Sequence, residues 1–338
     1  MMKKALYIGI NTYGSTSKMR ADKMREILSN WDVRIIDTDI PNNESCHLFV
    51  SLAWHYKIGP LIWRTNKYVL DKIDDECFDL IWVDKAIYLT ERTTKILRTR
   101  TKRLVHYTPD PAYTFHRSRL LFASFPYYDY VVTTKTYEIN DFVKTMGSRD
   151  KVLYVTQGFD KKLHRPIASW CDKKGVAMIG HYEEEREATV LALLKAGIDV
   201  YLAGGKWDVF AVEHACENLH YLGVSVQGED YVRALSGCLF ALGSVSKWIP
   251  EKHTTRTFEI PACGTALLTE KNEEIAGFYS DDEVIYYDGN KDLVEKVKYY
   301  INHKEELRIL TEKGYKRVQN GGFDFESIMR HLLLTVLE

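Results

Sequence analysis

The sequence has no apolar run of about 18 residues, so no segment of it is long and hydrophobic enough to span a bilayer as a helix. It has no excess of charge: 46 Lys and Arg stand against 47 Asp and Glu. That balance argues against nucleic acid or a membrane surface as the main partner and leaves room only for a local basic patch. There are six cysteines, Cys46, Cys77, Cys171, Cys216, Cys238 and Cys263, but no C-x-x-C pair and no Cys/His cluster with zinc-like spacing. The scatter suits isolated buried thiols in a reducing compartment better than a disulfide framework or zinc ribbon. The loop after the first apolar run, Ile8 to Ser15, holds Gly9 and Gly14 without the G-x-G-x-x-G spacing, so a dinucleotide fingerprint is not supported. There is no short-period repeat and no low-complexity tract.

What remains is 338 residues of ordinary globular composition, 45% apolar and 28% charged, enough for two cores. The N-terminal residues carry two lysines and only a short apolar run, and so read as a first strand rather than a secretory leader. Short runs rich in Ile, Val and Tyr alternate with amphipathic segments. Strands are predicted at 5–10, 33–37, 78–83, 104–107, 130–133 and 152–156, with helices at 17–29, 90–100 and 136–146. The stretch 43–75 is too long for one crossover and predicts two helices broken at Gly59-Pro60. Polar residues at 157–169 read as a linker. A second series follows, with strands at 175–179, 199–203, 219–222, 239–242, 266–269 and 284–287 and helices between them, ending in helices at 304–320 and 323–337. The pattern predicts an α/β protein of two doubly wound, Rossmann-like halves facing a central cleft: 1–160, 161–320, and a C-terminal helix at 321–338 that returns to the first half.

Residues 246–265 are the most informative. A polar loop leads into a short helix with Thr254 or Thr255 at its start, Pro261 within it, and Gly264 where a terminal glycine belongs. A helix start offers free N–H groups and partial positive charge to an anion. Arg256 in the first turn opposes the helix dipole, which an adjacent phosphate would offset, and its fork suits phosphate oxygens. Glu259 shares its face and suits the hydroxyls of a ribose, although an Arg/Glu pair at this spacing is also common on ordinary helices. Lys247 is a second candidate phosphate cation. Gly180, His181 and Gly204 follow strands, where glycine permits close approach of a ligand to backbone.

The stretch His253 to Gly264, HTTRTFEIPACG, resembles the signature of the GT-B glycosyltransferases of the spore-maturation-protein and family-1-like group. GHYEEER at 180–186, GIDVYLAGGKW at 197–207 and YVRALSGCLFALG at 231–243 resemble the flanking elements of that group, over roughly residues 175–320. The resemblance implies a GT-B architecture with a donor site in the second half. His253, Thr254, Thr255, Arg256 and Glu259 would hold a nucleotide-diphosphate sugar, joined by Lys247, Gly180, His181 and Gly204. Many retaining members of the wider superfamily have two glutamates separated by seven residues, and Glu251 and Glu259 match that spacing, although the residues between them depart from the usual pattern. Retention of configuration is the expectation this carries, with Glu251 near the donor sugar or phosphate.

In the first half, His106-Tyr107-Thr108-Pro109-Asp110-Pro111 ends a strand where catalytic groups collect. Asp110 or His106 is the candidate general base, though Asp110 between two prolines also suits a plain turn. Trp54, His55 and Tyr56 suit an acceptor pocket or the core. Asp37-Thr38-Asp39 has the form of a metal site but reads as coincidence. The expected function is sugar transfer from a nucleotide-diphosphate donor to an acceptor hydroxyl in surface glycan or glycoconjugate synthesis, with no metal or other cofactor. Expected partners are the donor and a glycan, lipid-linked or protein acceptor. The expected location is the cytoplasm, with a peripheral place at the inner membrane face left open. A sugar-nucleotide epimerase and a non-catalytic sugar-nucleotide-binding partner are the alternatives.

Overall fold

A computed structural model describes residues 2–338. The chain divides into two units, Met1–Thr156 with Phe325–Glu338, and Gln157–Asp324. Each is built on a six-stranded, wholly parallel sheet.

In the first unit the strands are β1 (Lys4–Gly9), β2 (Asp32–Asp37), β3 (Phe78–Asp84), β4 (Thr101–Thr108), β5 (Tyr130–Thr133) and β6 (Val152–Tyr154), in the order β2-β1-β3-β4-β5-β6. Parallel sheets are covered on both faces, and the apolar runs that form these strands feed two cores. One face packs Leu6, Ile8, Ile81 and Val83 against Phe125 and Phe142. The other packs Ala5, Tyr7, Leu80 and Trp82 against Met24 of the helix Thr16–Ile27 and against Phe325, Met329, Leu332 and Val336 of the helix Phe325–Leu337. The chain's last helix thus belongs to the first unit. Each fully buried Leu, Met or Phe there contributes about 1.5–3 kcal/mol by removal from water, so Met329→Asp would detach that helix.

The stretch predicted to hold two helices forms His47–Tyr56 and Pro60–Ile73. Gly59 stands between them at φ 102°, and Pro60 occupies the first helical position, where a missing N–H costs nothing.

In the second unit the strands are β7 (Val176–Ile179), β8 (Val200–Ala203), β9 (Leu219–Tyr221), β10 (Phe240–Leu242), β11 (Ala266–Glu270) and β12 (Ile285–Tyr287), ordered β12-β11-β10-β7-β8-β9. In each unit the chain lays strands outward from the first one, then jumps back to its other side. The strand order reverses between β1 and β3 and between β7 and β10, and at such points the loops diverge and leave a crevice at the carboxyl ends.

The cysteines are not all buried as expected: Cys238 and Cys263 are, whereas Cys46, Cys77, Cys171 and Cys216 are exposed. The segment 157–169 is no free linker. Phe159, Asp160 and His164 are buried, and Phe159 makes a parallel bridge to Asp324. Polar composition misled here because His164 and Asp160 satisfy one another's backbone: the Asp160 N–H donates to His164 Nδ1 at 3.0 Å. Short helices at Ile40–Asn43, Arg119–Ser124, Asp208–Glu213 and Glu273–Phe278 were not predicted; four to six residues carry too little periodicity to read.

Candidate functional site

The helix Arg256–Ala262 follows β10 and is only seven residues long, with Pro261 inside it and Gly264 beyond it at φ 68°. So short a helix carries little dipole, and the charge at its start comes from side chains. Arg256 reaches across the β7/β10 crevice: its Nε donates to the carbonyl of Ile179, the last residue of β7, at 2.6 Å. A β-carbon built on Gly180 would stand 3.5 Å from a terminal nitrogen of Arg256 and 3.4 Å from one of Arg186. Two guanidinium groups therefore meet over Gly180. Burial lowers the pKa of Arg186, the positive charge of Arg256 lowers it further, and Glu183 and Glu251 act in the opposite sense. Arg186 bonds Glu183 at 3.0 Å and the carbonyl of His181 at 2.8 Å, and its Nε is buried without a partner among the described residues. Two like charges held together with an unmet donor at a strand-order reversal have the chemistry to take an anion.

Arg186 was not singled out in the sequence. The signal was the one that selected Arg256, a cation in a helix's first turn, here beside Glu184, Glu185 and Glu187.

Gly204 sits at φ 142°, and a β-carbon there would lie 1.8 Å from the carbonyl oxygen of Gly180. That same oxygen accepts from Trp207 Nε1 at 2.8 Å, and Trp207 is fully buried. Gly204 and Trp207 thus fix the loop after β7 rather than face a ligand. His181 is exposed, with its ring against Gly205. Glu251 is half-buried and acts electrostatically on Arg186.

Several expectations change. His253 is 1% exposed; its Nε2 accepts from the Gln157 N–H at 3.0 Å and its Nδ1 lies 2.7 Å from Glu274. With both nitrogens engaged, it ties the loop to its neighbours and cannot also hold a donor. Thr255 caps the helix by position only: its hydroxyl donates to Glu259 at 3.0 Å. Glu259 is 5% exposed, and the same carboxylate oxygen also takes the Tyr231 hydroxyl at 2.7 Å, while His164 Nε2 stands 3.7 Å from the other. A ribose would meet this carboxylate by displacing a hydroxyl rather than by filling an open site. The Thr254 hydroxyl is buried with no partner among the described residues. Lys247 pairs with Glu270 and lines a small pocket with Arg186, Glu183 and Ser244.

In the first unit a pocket of about 220 Å³ opens at the β1/β3 reversal, lined by Ile10, Thr38, Asp39, Val50, Trp54, Lys85 and neighbouring residues. Trp54 is 41% exposed and makes edge contacts with Phe115 and His116, so it belongs to the pocket rather than to the core. Lys85 stands at φ 61°, in the left-handed region, and its ammonium lies 2.5 Å from Asp110. Burial pushes the Asp110 carboxyl up, but the His116 hydrogen bond at 3.3 Å and the Lys85 charge outweigh it and hold the pKa well below the ordinary range. So held, Asp110 is a weak base and the counter-ion of Lys85. His106 is not a base in this fold. It is 1% exposed on β4 between Phe125 and Tyr128, both ring nitrogens lack partners among the described residues, and burial pushes its pKa down to about 4. Asp37 accepts from the N–H groups of Asn11 and Asp39, and Asp39 from Thr12, Asn42 and Asn43.

Residues 186–333 match the family model described as "Glycosyl transferase-like". No curated protein sequence matches the chain. Solved structures match along its whole length. Anabaena HepE in complex with UDP-glucose is 13% identical, with a TM-score of 0.66 over 98% of each chain. Sucrose-phosphate synthase from Thermosynechococcus elongatus is 14% identical, with a TM-score of 0.68 over 98% of this chain and 97% of that one. A glycosyltransferase from Rickettsia africae is 11% identical, with a TM-score of 0.65 over 98% and 97%. The fold is GT-B. The matched residues begin at Arg186 and include Glu251, Arg256 and Glu259; the pocket at the β1/β3 reversal lies outside the match.

Proposed function

We propose that the protein is a glycosyltransferase that takes its sugar from a nucleoside-diphosphate donor held at the β7/β10 reversal. The observation that carries this is the meeting of Arg256 and Arg186 over Gly180. Transfer breaks the bond between the sugar's anomeric carbon and the diphosphate, and negative charge grows on the leaving oxygen. Two fixed guanidinium groups stabilise that charge as a metal ion would, so the reaction needs no metal. The buried Thr254 hydroxyl adds a donor, and Glu259 takes the ribose in exchange for the Thr255 or Tyr231 hydroxyl. Glu251, coupled to Arg186, lies toward the donor sugar, and its spacing from Glu259 favours retention of configuration. The acceptor hydroxyl belongs to a glycan or glycoconjugate, and the pocket bearing Trp54 and Lys85 is its candidate seat.

HepE has been crystallised with UDP-glucose, which makes that the first donor to try. The fold should gain thermal stability with the true nucleotide sugar, because a ligand bound only by the native state stabilises it. Arg256→Ala should weaken donor affinity about 10- to 100-fold, the loss of a charge-assisted hydrogen bond or two, with melting in the absence of donor nearly unchanged. Undiminished donor affinity in that variant would remove the diphosphate from this place. Anomeric configuration of the product, read by NMR, decides retention.

A further inference from the structure

The first unit carries a surface that the donor site does not explain. Where the helix His47–Tyr56 turns into Pro60–Ile73, large apolar side chains stand in water: Tyr56 is 70% exposed, Ile58 58% and Trp63 65%, with Leu48 at 63% on the same helix pair. Isolated exposed apolar residues are ordinary, but three within eight positions of one turn form a patch, and such patches mark binding surfaces. Ile58 and Trp63 also line an open groove of about 560 Å³ with Lys67, Asp71 and Arg92.

Asp71 apart, the charge carried by the two helices' junction has one sign. No Asp or Glu occurs between Ser45 and Leu70, a stretch that contains Lys57, Arg64 and Lys67. Lys67 is neutralised by Asp71 at 2.5 Å. Lys57 lies 5.1 Å from the Trp54 ring and Arg64 5.6 Å from the Phe49 ring, and neither pairs with a carboxylate among the described residues. In a chain whose charges balance overall, a cationic rim around exposed Trp and Tyr is a local departure.

We propose that this corner docks on an anionic lipid surface. Trp and Tyr are the side chains that settle at the headgroup level, apolar body inward and polar edge outward. Lys and Arg beside them gain from the negative surface potential. Apolar and cationic groups used together at an exposed turn fit a bilayer interface, whereas a second copy of the chain would bring like charge against like. Trp54 belongs both to this corner and to the pocket with Lys85, so docking brings that pocket beside the bilayer, where a lipid-linked acceptor resides. The proposal does not depend on the donor site.

Co-sedimentation of the full-length protein with phosphatidylcholine vesicles, with and without phosphatidylglycerol, tests it. The protein should pellet with the anionic vesicles and be released by high salt. The triple variant Tyr56→Ser, Ile58→Ser, Trp63→Ser should bind them at least about tenfold more weakly, since its apolar insertion is removed. Lys57→Gln with Arg64→Gln should abolish the preference for phosphatidylglycerol. All five residues are at or near the surface, so melting temperature should stay within a few degrees, and thermal shift with a nucleotide sugar should be unchanged in both variants. Loss of docking with donor binding intact therefore separates this proposal from the transferase reading. Failure of the native protein to pellet with anionic vesicles overturns it. So does undiminished binding by the triple variant, or a dimer in sedimentation that the triple variant abolishes while vesicles are ignored, which would give the patch to a second copy.

Discussion

Arg20 and Arg186 hold the same topological place, each on the helix that follows the first strand of its unit, and they do opposite things. Arg20 is fully buried. Its Nε and a terminal nitrogen bond both oxygens of Asp84 at 2.7 and 2.9 Å, and Tyr7 donates to the same carboxylate at 2.6 Å. Burial is the largest single influence and works against its charge, but Asp84, Tyr107 and Tyr7 together raise the pKa. Asp84 ends β3, the strand across the reversal. Its counterpart β10 ends at Leu242 and leads into Gly243, with no acid there. Arg186 pairs instead with Glu183 of its own loop at 3.0 Å and shares its surroundings with Arg256. One residue at the end of a neighbouring strand decides whether a helix-borne arginine is locked across the sheet or held only by its own loop.

The comparison breaks most visibly at Gly204. Gly204→Ala puts a methyl against the Gly180 carbonyl at a backbone angle that L residues avoid, and should cost about 4 kcal/mol or more in chemical denaturation. A loss under about 1 kcal/mol would mean the two loops are not locked together. Arg20→Leu strands the buried Asp84 carboxylate and should cost about 3–5 kcal/mol, most of it recovered in Arg20→Leu with Asp84→Leu, because an apolar pair replaces a buried ion pair well. If the double variant is no better than the single one, Arg20 acts through more than its partner.

His106 gives a smaller, pH-dependent effect. Its pKa falls from 6.5 to about 4 on folding, so between those values the unfolded chain binds the proton first. Stability should fall as pH drops through this window, by up to about 3 kcal/mol, and remain level above it. His106→Leu should remove that slope; an identical pH profile would show that the ring is not buried neutral. Least affected is Lys247→Ala, which breaks a half-exposed pair with Glu270 and should change stability by less than about 1 kcal/mol. A donor affinity reduced as far as in Arg256→Ala would place Lys247 on the diphosphate.

Much of the fold was legible because a buried parallel strand is a continuous apolar run and its crossover helix an amphipathic one. All twelve strands lie within a few residues of the predicted spans, and the break at Gly59-Pro60 falls between two helices as read. The candidate site was legible in part. Arg256 declares itself as a cation in a first helical turn. Arg186 sits in the same position, but three glutamates beside it make it look like an ordinary surface cation. His253 and His106 looked reactive because a histidine's chemistry depends on what occupies its two nitrogens, and Gln157 is 96 positions away from the ring it meets.

Local sequence alone determined the two βα series and the glycines at the Gly59-Pro60 break and after the helix that begins at Arg256, because periodicity and backbone conformation are written within a few residues. Only the tertiary structure decided which charges are neutralised and which stay open. Partners of a charge come from other strands and loops, and whether Asp84 or a second arginine faces a guanidinium is set by strand order, which no local pattern records.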